Sequence, residues 1–180
     1  KMAVMRGASV TLVSGPVNIE PFIGIDVVNV KSAADMAEAV AARSEASDIV
    51  VMCSAVADYT PTHYSAQKVK KSDGELSIPL ARTTDILHTL GMKKKEGQML
   101  VGFSMETENL IENSRKKLSK KNADIICANT IADGGDTGFA VDTNQVTLIT
   151  ETEVITLPLC TKEETADLIL SHIVELQKGK

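Results

Sequence analysis

Residues 50–71, VVMCSAVADYTPTHYSAQKVKK, concentrate side chains that could act on a charged ligand. A carboxylate, Asp58, and a phenol, Tyr59, follow the small-residue turn Ser54-Ala55-Val56-Ala57. A polar loop then delivers Lys68, Lys70 and Lys71. The turn is preceded by an apolar run, 49–53, that reads as a buried strand. In open α/β sheets, ligands sit outside the carboxyl ends of strands. An acceptor there, with a cationic loop swinging back toward it, suits an anion carrying hydroxyls, such as a nucleoside triphosphate. An exposed charged loop after a strand gives the same pattern without any ligand. Further on, Lys117 and Lys121 are four apart and project from one helix face. Lys116 and Lys120 read as surface charges. Gly102 would let a base approach the backbone before Phe103 supplies an apolar edge, although a lone Phe at a strand end also serves a core. Asn129 closes another apolar run, where it could orient a substrate or simply form a turn.

These residues need a frame. Strands are predicted over 9–13, 25–30, 48–53, 99–103 and 124–127. Helices are predicted over 33–45, from near Thr84 to about 94, from Glu106 or Thr107 to about 121, and after Thr161. Ser32 with Asp35, and Thr161 with Glu164, have the spacing of capping boxes. In the last helix Ala166, Ile169, Leu170, Ile173 and Val174 follow helical spacing; Leu110, Ile111, Ser114 and Leu118 are the inward set before it. The alternation implies an α/β, Rossmann-like fold, a mostly parallel sheet with helices on both faces. Residues 145–149 and 153–157 read as a C-terminal hairpin. The Lys68 loop, the turn Ser72-Asp73-Gly74 and an edge strand over 75–80 form a protruding β arm at about 60–80. Asp133 to Gly138 reads as loop.

The 180 residues fit a single domain, 1–180, large enough to bury a core without disulfides or metals. Net charge is −5, which argues against general nucleic-acid binding. The charge is uneven: residues 68–121 hold 12 of the 19 basic residues and 7 of the 24 acidic ones. A basic middle on an acidic chain can focus a small anion into one cleft. Cys53, Cys127 and Cys160 are odd in number and widely spaced; those ending apolar runs read as buried thiols in a reducing, cytoplasmic compartment. No zinc-ligand spacing and no apolar run of membrane-spanning length is found, so no membrane partner is expected. The glycine fingerprints of dinucleotide-binding and P-loop folds are also absent from these residues.

Several short motifs together resemble one family, the phosphopantothenoylcysteine synthetase domain of coenzyme A biosynthesis in its bacterial, CTP-using form. They are Val13-Ser14-Gly15-Pro16-Val17, Cys53-Ser54-Ala55-Val56-Ala57-Asp58-Tyr59, Lys68-Val69-Lys70-Lys71, Thr84-Asp85-Ile86-Leu87, Val101-Gly102-Phe103 with Glu106-Thr107, and Asp124-Ile125-Ile126-Cys127-Ala128-Asn129. The resemblance implies a ligase that joins 4′-phosphopantothenate to cysteine through an acyl-cytidylate. It implies that Met52, Cys53, Ser54 and Phe103 border the cytosine. Asp58 would accept hydrogen bonds at the ribose, and Lys68 would meet the phosphates or the intermediate as the catalytic cation. Thr84, Asp85, Ile86 and Leu87 match a nucleotide-contacting stretch usually written Pro-Asp-Ile-Val, and Lys117 and Lys121 match two further nucleotide contacts. Mg2+ would ride on the triphosphate, FMN would enter only with a decarboxylase domain fused upstream, and the arm suggests a homodimer. The family's Asn and its Ser-Ser-Gly-Lys-Met-Gly run are reduced here to Lys1-Met2, so the chain is expected to be a fragment lacking an N-terminal phosphate-binding segment. Two alternatives compete: an NAD(P)-dependent Rossmann oxidoreductase, and a non-catalytic nucleotide-binding domain.

Overall fold

A computed structural model of the chain describes residues 1–70, 77–106, 108–130 and 141–179. Helix α1 (Met2–Met5) precedes strand β1 (Val10–Ser14), which pairs in parallel with β2 (Ile25–Asn29). Helix α2 (Ala33–Ser44) leads to β3 (Ile49–Met52), then to the short strands β4 (Tyr59–Pro61) and β5 (Leu80–Arg82). Helix α3 (Ile86–Lys93), strand β6 (Met99–Glu106), helix α4 (Leu110–Lys121) and strand β7 (Ile125–Thr130) follow. The chain continues through β8 (Thr143–Asn144), β9 (Val146–Ile149), β10 (Val154–Thr156) and β11 (Cys160–Thr161) into α5 (Lys162–Lys178).

The central sheet has the order β10-β9-β7-β6-β3. Its β3, β6 and β7 are parallel, while β9 and β10 are the antiparallel C-terminal hairpin. Period-two alternation sends neighbouring residues to opposite faces. Met99, Val101, Ile125, Cys127, Val146 and Leu148 meet Ile169 and Ile173 of α5 on one face. Leu100, Val50 and Met52 meet Met36 and Val40 of α2 and Ile86 and Leu90 of α3 on the other. The predicted α/β architecture with a mostly parallel sheet and helices on both faces is therefore present. Both capping boxes form: Ser32 with Asp35, and Thr161 with Glu164.

The differences from the sequence reading have local causes. The β1–β2 pair forms its own two-stranded sheet, so β3 is an edge of the central one and Val51 is 41% exposed. A strand covered on both faces was expected there. Strand β7 continues through Ala128 and Asn129, because β6 and β9 both pair with that stretch. Asn129 is thus a strand residue and no turn. Strand β6 likewise runs three residues past Phe103, with Ser104 and Glu106 facing the helix layer that carries α4. Glu106 therefore does not open α4; Asn109 occupies that helix's N-cap in a left-handed conformation without a side-chain cap, and Thr107 lies outside the described residues. Helix α3 begins two residues later than predicted, since Asp85 is its N-cap and accepts from the His88 backbone N–H at 3.0 Å. Ile111 and Val174, expected inside, are 48% and 40% exposed, and Thr165 is buried instead. Cys127 is buried, but Cys53 is exposed. Of the strand predicted over 75–80, residues 77–79 are outside any strand and Leu80 opens β5 (Leu80–Arg82), which pairs with Tyr59–Pro61 as the base of the arm. Lys71, the 72–74 turn, Glu75 and Leu76 of the predicted strand, and the 133–138 loop lie outside the described residues.

Candidate active site

A cleft of about 410 Å³ opens where β3 and β6 end. Its floor owes its shape to Gly102. A Cβ at that position would lie 2.5 Å from Leu87 Cδ2 and 3.0 Å from Ile126 Cδ1, so only glycine lets those two side chains close under the sheet end. Met52 and Ser54 line one wall from the end of β3, and the chain then carries Asp58 to the rim. Thr84, Asp85, Ile86 and Leu87 line it from the start of α3. Thr83 fixes that approach: its N–H donates to Asp58 O at 2.9 Å and its hydroxyl to Ala57 O at 2.6 Å. Phe103 also reaches the cleft, yet its ring packs with the cluster that α5 covers.

Lys117 and Lys121 enter from α4. Their helix is registered on the sheet by the buried contact of Ser104 Oγ with Ser114 Oγ at 3.1 Å. The second registration is at Gly91, where α3 crosses close to the end of α4; a Cβ there would stand 1.8 Å from Lys121 O. Asn122 Nδ2 donates to Gly91 O at 2.8 Å, and His88 Nδ1 lies 3.0 Å from Lys120 O. Each lysine has a carboxylate partner. Lys117 Nζ donates to Glu106 Oε1 at 2.6 Å, and Lys121 Nζ donates to Asp85 Oδ2. Burial raises the Asp85 carboxyl, but the Lys121 hydrogen bond, the His88 N–H and the neighbouring positive charge outweigh it and hold it below the usual carboxylate range. The cleft therefore combines an apolar floor, an acceptor at its rim and two ammonium groups on one side. That combination can hold a flat apolar group, a hydroxyl and an anion at once.

Ten of the thirteen predicted positions line this cleft, and Cys53, Lys68 and Asn129 do not. Cys53 sits between two lining residues and is exposed. Lys68 lies exposed on the arm, away from the cleft lining, so Asp58 and Lys68 of the same chain do not share its walls. Asn129 pairs with Met105 and Val146, and its Oδ1 is buried with no hydrogen-bond partner among the described residues. Sequence reading did not assign Val56, Arg82, Thr83 or Ile126 to the site, and assigned Tyr59 no contact. Arg82 stacks over the Tyr59 ring at 5.9 Å, a cation–π contact made by the β4–β5 pairing. Nothing local in the sequence pairs Tyr59 with Arg82; only the closure of the arm does.

A mixed sheet whose parallel strands β3 and β6 end at a cation-lined cleft defines an α/β domain of Rossmann-like kind, with its candidate site where such folds place their ligands. Similarity to known proteins sharpens that class. The chain belongs to the DNA/pantothenate metabolism flavoprotein C-terminal domain family, which it matches over residues 1–176. It is 46% identical over 178 residues to the coenzyme A biosynthesis bifunctional protein CoaBC of Bacillus subtilis (strain 168), covering 98% of this chain and 43% of that protein. The chain thus spans less than half the length of that relative. The crystal structure of a C-terminal domain of CoaBC superposes with a TM-score of 0.81 at 41% identity, covering 99% of this chain and 79% of that one. A Cab2 mutant in complex with phosphopantothenate-cysteine shares the fold, with a TM-score of 0.64 at 14% identity over 87% of this chain and 54% of that one.

Proposed function

We propose that this chain is the ligase domain that condenses 4′-phosphopantothenate with cysteine, using CTP, in coenzyme A biosynthesis. One observation carries the reading. Lys117, Lys121 and Asp58 line one cleft with an apolar floor, in a chain 46% identical to a coenzyme A biosynthesis bifunctional protein. The phosphopantothenate-cysteine complex of a protein with the same fold supports the substrate pair.

In the first step a carboxylate oxygen of phosphopantothenate attacks the α-phosphorus of CTP. The bond from that phosphorus to the bridging oxygen breaks, and pyrophosphate leaves. Both reactants are anions, so cations must offset their repulsion as charge moves onto the leaving group. Lys117 and Lys121 supply two such charges from α4, and Arg82 adds a third at the wall. Asp58 accepts from the ribose hydroxyls. Met52, Cys53 and Ser54 border the base through their backbone, with Phe103 at its edge, while Thr84, Asp85, Ile86 and Leu87 hold the nucleotide from the start of α3. In the second step the cysteine amine attacks the acyl carbon, loses its proton, and CMP departs. Asn129, whose Oδ1 has no partner among the described residues, is assigned to substrate orientation.

Lys68 reaches a cleft from the arm of a second copy, so the working unit is a homodimer. Tyr64, Val69, Ile78 and Leu80 leave large apolar surface on that arm, which a neighbouring chain would cover. Mg2+ travels on the triphosphate; among the described residues no group of three or more His, Cys, Asp or Glu could hold a metal. The enzyme acts in the cytoplasm, with a flavin-bearing decarboxylase domain upstream in the same polypeptide. Among the described residues no helix is long and apolar enough to cross a membrane.

The test is pyrophosphate release by the full-length protein from CTP, phosphopantothenate and Mg2+ before cysteine is added. Release supports the ligase. No release, with thermal stabilisation by NADPH and none by CTP, would replace it with the oxidoreductase reading. CTP binding without release would leave a non-catalytic nucleotide-binding domain.

A further inference from the structure

The ligase reading uses Lys117 but leaves Glu106 unexplained. Glu106 ends β6, the longest strand among the described residues, and lies outside the cleft lining. Its side chain is only 13% exposed, and an isolated carboxylate at such a position would carry a desolvation cost. Both oxygens are occupied. Lys117 Nζ donates to Oε1 at 2.6 Å, and Asn113 Nδ2 donates to Oε2 at 3.3 Å. Asn113 Nδ2 also donates to Glu108 O at 3.1 Å, which braces the carboxylate from behind. The pair is asymmetric: the Lys117 side chain, which lines the cleft, is 44% exposed, while that of its half-buried partner is 13% exposed. In the Lys121–Asp85 pair the order is reversed, with the cation 16% and the carboxylate 49% exposed. An ammonium has three donors, so one can stay on a half-buried anchor while the others face a ligand.

We infer that Glu106 is a positioning residue that holds the Lys117 ammonium aimed into the cleft, so that it meets the polyphosphate without first being ordered by it. This deepens the ligase reading and rests on it for the identity of the polyphosphate. It acts through Lys117 alone, and makes no contact with the ligand itself.

The experiment uses the full-length protein and the variants Glu106→Gln, Lys117→Met and the double variant. In ligand-free protein, 15N relaxation of the Lys117 ammonium is expected to show a lower order parameter in Glu106→Gln. An unchanged order parameter overturns the inference whatever the enzyme does. In the pyrophosphate-release assay Glu106→Gln is expected to lower kcat about tenfold. The KM for CTP should stay within about threefold, because the lost negative charge favours a polyanion while the loosened ammonium disfavours it. In the Lys117→Met background Glu106→Gln should have no further effect on kcat. An equal loss in both backgrounds would make Glu106 a general structural residue and overturn the proposal. If wild-type protein releases no pyrophosphate, the ligase reading fails on that result alone, and the relaxation measurement still decides the anchoring of Lys117.

Discussion

The crossing of α3 and α4 at Gly91 places Lys121 against Asp85, so Gly91→Ala perturbs the site from below. The added Cβ would lie 1.8 Å from Lys121 O, 2.8 Å from Lys121 C and 3.2 Å from Asn122 Cβ. An ordinary carbon–oxygen approach is about 3.3 Å, so relief requires a displacement on the order of 1.5 Å. The atoms in the way are backbone near the end of a helix, so a rotamer change cannot provide it. Overpacking of this kind costs about 1–3 kcal/mol. Alanine returns up to about 1 kcal/mol of helix propensity. With the clash this severe, the net loss should be on the order of 2 kcal/mol, which lowers Tm by roughly 4–8 °C for a domain of this size. Displacement by an ångström at a charged contact is also costly to rate, up to about a hundredfold. Chemical denaturation and pyrophosphate release by the same variant measure the two effects. Wild-type stability with wild-type kcat would refute the idea that this close crossing sets the position of Lys121.

Other consequences are as direct. Gly102→Ala pushes against the tips of Leu87 and Ile126, which can yield, so stability should fall by only about 1 kcal/mol while CTP affinity falls up to about tenfold, read by calorimetry. Asp85 has a depressed folded pKa, so its contribution is complete above the unfolded value of about 3.9 and is lost as pH falls through the lower folded value. Acid unfolding curves of wild type and Asp85→Asn should therefore converge at low pH and separate as pH rises, with wild type the more stable; parallel curves would contradict this. Burial, with Cys53 nearby, pushes the Cys127 thiol up to about 12, so alkylation at neutral pH should label it only on unfolding, as peptide mass spectrometry would show.

Much of the frame was legible because burial wrote it into local pattern. The strands 49–52 and 99–103 are apolar runs, and Ser32, Asp35, Thr161 and Glu164 announce helix starts by their own side chains. The cleft lining was legible through short motifs at Asp58 and the 84–87 stretch, and through the four-residue spacing that puts Lys117 and Lys121 on one helix face. What could not be read depends on pairing between distant segments. Tyr59–Pro61 and Leu80–Arg82 are short, exposed and contain a proline, and they become strands only against each other. Asn129 looks like a strand terminus until β6 and β9 enclose it. Glu106 looks like a helix opener until the strand register sends it under α4. Its pairing with Lys117 spans 11 residues and a change of element, beyond any helical spacing rule.

In the proposed function, the cleft between the end of β3, the start of α3 and the lysines of α4 holds a nucleoside triphosphate. A crystal structure of the full-length protein with CTP tests it most directly. Phosphate oxygens are expected within about 3 Å of Lys117 and Lys121 Nζ, and ribose hydroxyls at Asp58. CTP bound elsewhere on the molecule, or a cleft that stays empty at saturating CTP, would contradict it.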